Sequence, residues 1–461
     1  MAHRTAVLLV VGLNRRILAG RTPRLASFAR SGTTRTIVPP APAVTCSVQS
    51  SMLTGLAPNQ HGIVGNGWYD RDLAEVQFWK QSNHLVHGEK VWETAHRRDP
   101  AVTTANICWW YNMYSSADYS VTPRPIYKAD GRKIPDCYSE PPELRGELQE
   151  RLGKFPLFQF WGPGSSIESS RWIAQAARLV SERHQPTLSL VYLPHLDYAL
   201  QKFGPDGPAA GEAAVEIDSV AGDLIDFFEG EGVRVIVVSE YGIEPVDGVV
   251  RINRALRQEG ALRVREEQGL ELLDAGASGA FAVADHQVAH IYVNKPEDIQ
   301  RYADLCRGLG GIEQVLDRAG QAQLDLDHAR SGDLVAIAES GRWFSYDYWL
   351  DDARAPDFAR TVDIHRKPGY DPAELFIDPS IRLPRAAIGW KLFKRRLGFR
   401  TLLDVIPLDP SLVKGSHGRV DQPPERRPVL VTKTELANDE EALPAVGVRD
   451  VILEHLFGRA S

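Results

Sequence analysis

A chain of 461 residues that is 43% hydrophobic and 25% charged is long enough for a large buried core, either as one α/β domain with insertions or as two domains. This composition is atypical of disordered proteins. The formal net charge of -7 and the pI near 6.0 provide no overall basic field, so we do not expect nucleic acid as a partner. No apolar stretch of the sequence approaches the roughly 20 residues of a membrane span.

The cysteines and the N-terminus indicate a cellular location. The four cysteines are widely spaced and form no CxxC pair, which argues against a disulfide framework and against a structural zinc site. A reducing, cytoplasmic location is therefore expected. The apolar run at residues 6–13 is short and is followed by Asn-Arg-Arg without a small-residue cleavage site, so it predicts a buried first strand rather than a signal peptide.

The chain then alternates strands and helices, with one interruption. Thr22 and Pro23 predict the cap and the first residue of a helix, and a strand followed by a helix is typical of a parallel α/β sheet. An aromatic-rich segment at about 64–164 interrupts the alternation and predicts a lid, one wall of a pocket or an extra packed layer. Further elements are predicted as helices at about 166–183 and 209–229, strands at 187–193 and 234–238, and a strand pair at 280–284 and 289–293.

Several acids follow these strands. Asp197 comes shortly after the strand at 187–193, and Glu240 follows the strand at 234–238. Ligands in open α/β sheets collect at the carboxyl ends of the strands, so both acids are candidates for a functional site.

Thr45 is the best candidate for a nucleophile. It follows a proline-rich loop and begins a run that predicts a helix, which places its hydroxyl near unpaired backbone N–H groups and the positive end of the helix. Such a position suits a nucleophile that attacks a phosphate. It also suits a plain N-cap residue.

The segment after Thr45 carries a resemblance to a known family. Residues 54–63 read Thr-Gly-Leu-Ala-Pro-Asn-Gln-His-Gly-Ile. They resemble the Thr-Gly-x-x-Pro-x-x-His-Gly-Ile stretch of the type I phosphodiesterase/nucleotide pyrophosphatase family, in the alkaline phosphatase superfamily. Five segments in the family's order, from the first strand to Gly418, share this resemblance.

The resemblance implies the fold and the domain organisation. The expected fold is α/β and alkaline phosphatase-like, with a mostly parallel central sheet, helices on both faces and a lid insertion. We predict a catalytic domain over residues 1–420, with the aromatic-rich insertion at about 64–164. Residues 421–461 are predicted to be a C-terminal extension packed on the core.

The resemblance also implies catalytic residues and a metal site. In the family, two zinc ions held by six Asp and His side chains bridge the phosphate, and a Thr is the nucleophile. Thr45 matches that nucleophile, and Asp197 and His417 match two of the ligands. At the other four ligand positions this chain has different residues, namely Val11, Gln201, Glu240 and Tyr241. The resemblance therefore implies a reduced site with one divalent ion, zinc by family resemblance, held by Asp197, His417 and Glu240.

Other residues are candidates to complete the site. Asp363 and His365 lie two residues apart on an extended segment and are possible substitute ligands. We predict substrate contacts for Gln201, Lys367 and Tyr370. Tyr241 is either a packed aromatic or a phenol that hydrogen-bonds an anionic substrate. His195 and the pair Asp285 and His286 are further candidate ligands, each also compatible with an ordinary hydrogen-bonded role.

A basic segment near the C-terminus allows two interpretations. Between Arg382 and Arg400 there are seven basic residues and no acids, with Trp390, Phe393 and Leu397 at helical spacing. The pattern is typical of an amphipathic surface for anionic lipid, which would give peripheral membrane contact. It is also typical of a solvated helix face.

Three functions follow from these features. We expect a hydrolase of phosphate esters that acts on a small anionic substrate, with Thr45, Glu240 and Tyr241 as catalytic residues. The alternative is a catalytically altered or metal-free family member that binds an anionic metabolite or a partner. In a third interpretation, Thr45, Glu240, Tyr241 and His417 perform acid–base chemistry on something other than a phosphate diester.

Overall fold

The computed structural model describes residues 2–129, 132–436 and 441–458. Its strands, in chain order, are β1 (Thr5–Val10), β2 (Thr33–Val38), β3 (Gly67–Asp70), β4 (Glu75–Phe78), β5 (Thr104–Ile107), β6 (Tyr119–Pro123), β7 (Ile126–Tyr127), β8 (Lys133–Ile134), β9 (Cys137–Glu140), β10 (Leu188–Leu193), β11 (Arg234–Val238), β12 (Glu244–Pro245), β13 (Gly248–Val250), β14 (Val264–Glu267), β15 (Leu270–Leu273), β16 (Ala280–Asp285), β17 (Val288–Val293), β18 (Ile312–Leu316), β19 (Leu334–Ala338), β20 (Arg342–Phe344), β21 (Gly415–Ser416), β22 (Val429–Thr432) and β23 (Ala442–Pro444).

The α-helices are α1 (Arg15–Ala19), α2 (Pro23–Arg30), α3 (Thr45–Thr54), α4 (Pro58–His61), α5 (Val91–Arg98), α6 (Pro142–Leu152), α7 (Leu157–Phe160), α8 (Ile167–His184), α9 (His195–Phe203), α10 (Pro208–Gly230), α11 (Ile252–Gln258), α12 (Ile299–Arg307), α13 (Arg318–Ala322), α14 (Pro384–Arg396) and α15 (Val448–Phe457). The helices predicted at about 166–183 and 209–229 begin and end within one residue of these bounds, as α8 and α10. Among the described residues, none of these helices combines the length and the apolar character needed to cross a bilayer.

A nine-stranded mixed sheet forms the centre of the fold. Its strand order is β23-β2-β22-β11-β1-β10-β5-β6-β9. The five neighbouring strands from β11 to β6 run parallel, whereas β22 and β9 run antiparallel to their neighbours in this central group. The expectation of an α/β fold with a mostly parallel central sheet is therefore confirmed.

The central strands are apolar because helices cover the sheet. Every residue of β1 and β10 is buried, and Val7 lies in register between Leu190 and Ile236 of the neighbouring strands. Strands buried on both faces are near-continuous apolar runs, as observed here. Helix α10 contacts α2, α8 and α9, and helix α15 contacts α3 and α5; both α10 and α15 also pack on β1.

Two predicted boundaries can be compared with the strands. The aromatic-rich segment at 64–164 supplies β5, β6 and β9 to the main sheet, so the strand–helix alternation continues through it. Residues beyond 420 supply β22 and β23 to the same sheet. The division into a domain and an extension stays a prediction.

A second, four-stranded sheet packs beside the site. Its order is β16-β17-β19-β18, and all its pairings are antiparallel. Strands β16 and β17 are the predicted pair, joined by a two-residue turn in which His286 has a left-handed backbone (φ 61°). Few non-glycine residues adopt this conformation, and they cluster at turns and functional sites.

Candidate active site

The candidate site lies where the parallel strands of the main sheet end. Strand β10 ends just before α9, which presents Asp197 and Gln201 one helical turn apart, and Tyr241 lies three residues beyond β11. Thr45 is the first residue of α3, and Val44 is its N-cap. The alternative interpretation of Thr45 as the N-cap residue is therefore wrong.

A chain of hydrogen bonds joins the predicted nucleophile to a buried acid. Thr45 Oγ1 lies 3.2 Å from the Tyr241 hydroxyl, which donates to Asp197 Oδ1, also at 3.2 Å. Gln201 Nε2 donates to Asp197 Oδ2 at 2.7 Å, and the Tyr370 hydroxyl donates to Gln201 Oε1 at 2.8 Å. An ionised carboxylate only accepts hydrogen bonds, so the Tyr241 proton points to Asp197 and its oxygen is left to accept from the Thr45 hydroxyl.

Burial raises the pKa of both acids at the site. The pKa of Asp197 rises to about 7 because the side chain is buried, although hydrogen bonds from Gln201 and Tyr241 oppose the rise. Burial raises the pKa of Glu240 to about 8, against a hydrogen bond from Gln49 Nε2 at 2.9 Å. The charge of Asp197 also raises the pKa of Glu240, so the two acids titrate as an interacting pair.

Four aromatic rings stack in a row beside these acids. The ring centroids of Tyr241 and His417 are 3.6 Å apart, those of His417 and His286 are 3.7 Å apart, and those of His286 and Tyr370 are 3.7 Å apart. The row therefore runs from the phenol that contacts Thr45 to the phenol that contacts Gln201.

Both imidazoles of this row are neutral and have a free lone pair. His417 Nδ1 donates to the carbonyl of Ala43 at 2.8 Å, and His286 Nδ1 donates to Asp285 Oδ1 at 2.8 Å. Burial lowers the pKa of both histidines well below its usual value. In the described part of the chain, neither Nε2 atom has a hydrogen-bond partner. Each Nε2 is thus an available acceptor or metal-ligating atom.

Asn66 is a site residue that the sequence analysis missed. Its Oδ1 accepts from the backbone N–H of Cys46 at 3.0 Å, which fixes the first turn of α3 beside Thr45. Its Nδ2 and backbone N–H donate to Asp285 at 3.0 and 2.7 Å. The sequence feature that could have identified Asn66 is its position three residues after the His-Gly-Ile stretch.

A cavity of about 870 Å³ opens beside Thr45. The side chains at its deep end are Thr45, Asp197, Gln201, Tyr241, His286, Tyr370 and His417. Much of the wall is aromatic, with Trp79, Trp110, Tyr127, Phe158, Phe160 and Trp161. Its basic side chains are Lys133, Arg395 and Arg400. The segment at 64–164 therefore supplies much of one wall of the cavity.

The other predicted site residues have partners of their own or do not line the cavity. Asp363 and His365 line the wall, where Asp363 pairs with Lys133 at 3.2 Å and His365 Nδ1 donates to a backbone carbonyl at 3.2 Å. Glu240 and Lys367 are not among the described residues that line the cavity. His195 pairs with a glutamate at 2.7 Å.

The fold and this geometry define a class of α/β protein. In this class a hydroxyl group that is a candidate nucleophile lies at a helix N-terminus, beside the carboxyl ends of the strands of a parallel sheet. Residues 5–371 match the family model described as type I phosphodiesterase / nucleotide pyrophosphatase, and the chain belongs to this family.

A curated relative and several solved structures are similar to this chain. A Schizosaccharomyces pombe protein, described as an uncharacterized pyrophosphatase/phosphodiesterase, is 27% identical over 238 residues. This match covers 49% of the chain and 41% of the yeast protein, so the chain spans less than half the length of that relative. Murine ectonucleotide pyrophosphatase / phosphodiesterase 5 superposes with a TM-score of 0.60 at 14% identity, covering 99% of this chain and 96% of the murine chain.

A bacterial enzyme shares the fold to the same degree. Phosphonoacetate hydrolase from Sinorhizobium meliloti 1021, solved with phosphonoformate, superposes with a TM-score of 0.61 at 15% identity. The superposition covers 98% of this chain and 95% of the hydrolase. At this identity the similarity establishes the alkaline phosphatase-like fold.

Family membership supports a divalent metal ion in general, but the side chains here do not fit the family's two-ion site. In the described ranges, no group of three or more His, Cys, Asp or Glu side chains is arranged to hold an ion. Both oxygens of Asp197 already accept hydrogen bonds, and the Tyr241 hydroxyl lies between Asp197 and Thr45. A valine at position 11 offers no ligand atom. Of Asp197 and His417, the two residues that match family ligands, only His417 has a ligand atom, its Nε2, without a hydrogen-bond partner among the residues that the structure describes.

Proposed function

We propose that this chain is a hydrolase of phosphate esters in which Thr45 is the nucleophile. The observation that carries the proposal is the hydrogen-bonded path from Thr45 through Tyr241 to Asp197, at the deep end of a large cavity. Family membership supports the reaction class, because the family is defined by phosphodiesterases and nucleotide pyrophosphatases. The roles of the individual residues are supported by the geometry alone.

In the proposed first step, Asp197 acts as the base through Tyr241. The Thr45 hydroxyl proton moves to the Tyr241 oxygen while the Tyr241 proton moves to Asp197. The Thr45 oxygen forms a bond to phosphorus, the bond to the departing alkoxide breaks, and solvent protonates that alkoxide. Water then attacks phosphorus and gives up a proton to solvent, and the Thr45 oxygen leaves and takes its proton back along the same path.

The base needs an ionised Asp197 next to a neutral Glu240. The two pKa values, about 7 and about 8, favour this combination near neutral pH. Glu240 does not line the cavity, and its Oε2 is held by Gln49. We therefore give Glu240 an electrostatic role. Because Glu240 stays protonated and uncharged, Asp197 is the acid of the pair that ionises.

The negative charge of the phosphate requires compensation. The positive end of α3 lies beside Thr45 and favours an anion there, although the Cys46 N–H already donates to Asn66 Oδ1. Arg395 and Arg400 supply positive charge along the cavity wall, whereas the charge of Lys133 is paired with Asp363. The metal ion predicted from the sequence, one zinc ion on Asp197, His417 and Glu240, stays a prediction, and no step above is routed through it.

The cavity favours a substrate with an apolar or aromatic part. Aromatic side chains form much of the wall, and its volume of about 870 Å³ exceeds that of a bare phosphate. An inactive variant of the murine structural relative has been solved in complex with AMP. We therefore propose an organic phosphate ester, with the aromatic wall receiving the organic group.

The nucleophile is tested with Thr45→Ala and Thr45→Ser on bis(4-nitrophenyl) phosphate. Thr45→Ala is expected to reduce kcat at least about 10³-fold, and Thr45→Ser to retain part of it, because Ser keeps the hydroxyl. Thr54→Ala is the matched control: Thr54 ends the same helix, and its hydroxyl bonds to Ser50. Full turnover by Thr45→Ala would remove the nucleophile assignment.

A trapping experiment separates covalent catalysis from simple binding. Acid quenching during turnover should leave a phosphoryl adduct on Thr45 that peptide mass spectrometry can locate. Turnover without any adduct in the parent or in Thr45→Ser would favour direct attack by water. Binding of the ester without turnover in the parent would favour the alternative of a metabolite-binding family member.

A further inference from the structure

Residues 382–402, which we call the rim segment, form one surface segment of the chain. The residues on either side of this segment are joined by a hydrogen bond, in which the backbone N–H of Asp378 donates to the carbonyl of Val405 at 2.8 Å. Between these two residues the chain forms α14, a helix of 13 residues. None of the residues of α14, all of which are described, is buried. Its Ile388 is half-buried against the cluster of Ala373, Val405 and Ile406, so α14 touches the fold along one face only and exposes the other face to solvent.

The rim segment exposes an unusual amount of apolar surface. Of the 16 exposed large apolar side chains in the described residues, seven lie between 383 and 402. They are Leu383, Trp390, Leu392, Phe393, Leu397, Phe399 and Leu402, with exposed fractions from 46% to 72%. Contiguous exposed apolar patches in soluble proteins mark interaction surfaces.

The same segment is strongly basic within an acidic protein. It contains seven of the basic residues and no acid, whereas the whole chain has a net charge of -7. Lys391 is paired with Asp404 outside the segment, and Lys394 lies 5.5 Å from the centre of the Trp390 ring. Lys and Arg interleaved with Trp, Phe and Leu are typical of helices that lie in the interface of an anionic bilayer.

The rim segment also borders the entrance of the cavity. Leu392, Arg395 and Leu402 line the cavity, and Leu392 and Leu402 are at the same time 49% and 46% exposed. Tyr127 and Phe158, from the segment at 64–164, likewise line the cavity and are 46% and 55% exposed. The entrance is therefore bounded by exposed apolar side chains from two parts of the chain.

We propose that the rim segment docks the cavity entrance onto an anionic lipid bilayer. Charge complementarity decides between the possible occupants: a bilayer provides negative headgroups and an apolar interior together, as the segment requires. In a symmetric dimer a second copy would bring the same positive charges against the rim segment and would be repelled. Docking would place the phosphate of an ester in the bilayer at the cavity entrance, so we infer that the substrates are amphiphilic phosphate esters. This inference about the substrate rests on the proposed function.

Co-sedimentation with lipid vesicles tests the docking. Vesicles of phosphatidylcholine with about 30% phosphatidylserine are expected to bind the protein at least about 10-fold more tightly than vesicles of phosphatidylcholine alone. Binding should weaken when the salt concentration is raised from about 0.1 M to about 0.5 M. Absence of binding to the anionic vesicles would overturn the proposal.

Two sets of variants locate the contact. Trp390→Ala/Phe393→Ala removes apolar groups and Arg382→Gln/Arg385→Gln/Arg396→Gln removes charge, and each is expected to reduce vesicle binding at least about 10-fold. The matched controls are Leu73→Ala/Leu350→Ala and Arg151→Gln/Arg265→Gln/Arg301→Gln, at exposed positions outside the rim segment. Equal binding by rim and control variants would contradict the assignment. So would a concentration-dependent dimer, seen by light scattering, that only the rim variants abolish.

The docking can fail independently of the catalytic proposal. Thr45→Ala should still bind anionic vesicles like the parent, and the rim variants should still hydrolyse a soluble ester such as bis(4-nitrophenyl) phosphate. An amphiphilic phosphate ester presented in anionic vesicles should be hydrolysed at least about 10-fold more slowly by the rim variants. Equal hydrolysis of the vesicle ester by parent and rim variants would overturn the substrate class alone.

Discussion

The phenol ring of Tyr241 lies flat against the imidazole of His417, with 3.6 Å between the ring centroids and 8° between the planes. Its hydroxyl lies 3.2 Å from both Thr45 Oγ1 and Asp197 Oδ1. The family resemblance expects a metal-ligating histidine at position 241. In this chain a phenol at that position connects Thr45, the proposed nucleophile, to Asp197, and the stacked imidazole of His417 packs against the ring.

Removal of the Tyr241 hydroxyl should therefore impair the chemical step. Tyr241→Phe keeps the stack on His417 and breaks the path to Asp197, so kcat should fall about 10²- to 10³-fold with KM nearly unchanged. Steady-state kinetics on bis(4-nitrophenyl) phosphate measure both constants. Tyr348→Phe is the control, because the Tyr348 hydroxyl bonds to the carbonyl of Glu271 away from the cavity. An unchanged kcat in Tyr241→Phe would exclude the relay.

The buried acid Glu240 should make the protein less stable as pH rises. Its folded-state pKa of about 8 lies above the usual value of 4.5, so between these values the folded state holds a proton that the unfolded state has lost. The free energy of unfolding then falls with rising pH, by at most ~1.4 kcal/mol per pH unit for this group. The contribution is fully present below pH about 4.5 and is lost as the pH rises through about 8.

Glu240→Gln should flatten this dependence. Glutamine keeps an oxygen for Gln49 and cannot ionise, so the unfolding free energy should decline less steeply between about pH 5 and 8 than in the parent. Urea unfolding at several pH values provides the slopes. Glu150→Gln, at an exposed position, serves as the control. Parallel slopes for Glu240→Gln and the parent would show that Glu240 does not titrate in this range.

The family's metal ligands can be restored by mutation. This tests whether the altered residue types explain why the side chains do not fit the family's two-ion site. Val11→Asp/Gln201→His/Tyr241→His restores the family's side chains at three of the four altered positions, so zinc affinity should rise at least about 100-fold over the parent. Titration calorimetry measures the affinity. Adding Asp197→Ala should abolish most of the gain, because it removes a matched ligand. Equally weak zinc binding by the parent and the triple variant would show that these three residue types do not explain the absence of the two-ion site.

Much of the fold could be predicted from the sequence because its elements have strong local signals. Strand β1 is a short apolar run, and α2 begins at a proline after Thr22. The segment at 64–164 was harder, since its three sheet strands are only four or five residues long and lie among aromatic residues. Short strands of this kind are fixed by their neighbours in the sheet rather than by their own pattern.

The site was predictable only where a motif fixed the position. Thr45, Asp197 and His417 lie together at the deep end of the cavity, each in a segment that resembles the family. The stack of His286 on His417 joins residues more than a hundred positions apart, which no local pattern indicates. Lys133 was also missed, because a lone lysine in a loop-rich segment has no distinguishing neighbours.

Lys367 shows how a basic residue near a site can have a structural role. Its Nζ is buried and pairs with Asp371 at 2.6 Å and Glu374 at 2.8 Å, although the sequence suggested a substrate contact. Lys367→Met would leave two acids without their cation, so the free energy of unfolding should fall by about 3–5 kcal/mol in urea titrations. Lys367→Met/Glu374→Gln should recover part of the loss, because one uncompensated charge is removed. If Lys367 instead contacted the substrate, Lys367→Met would raise KM and leave the unfolding free energy unchanged.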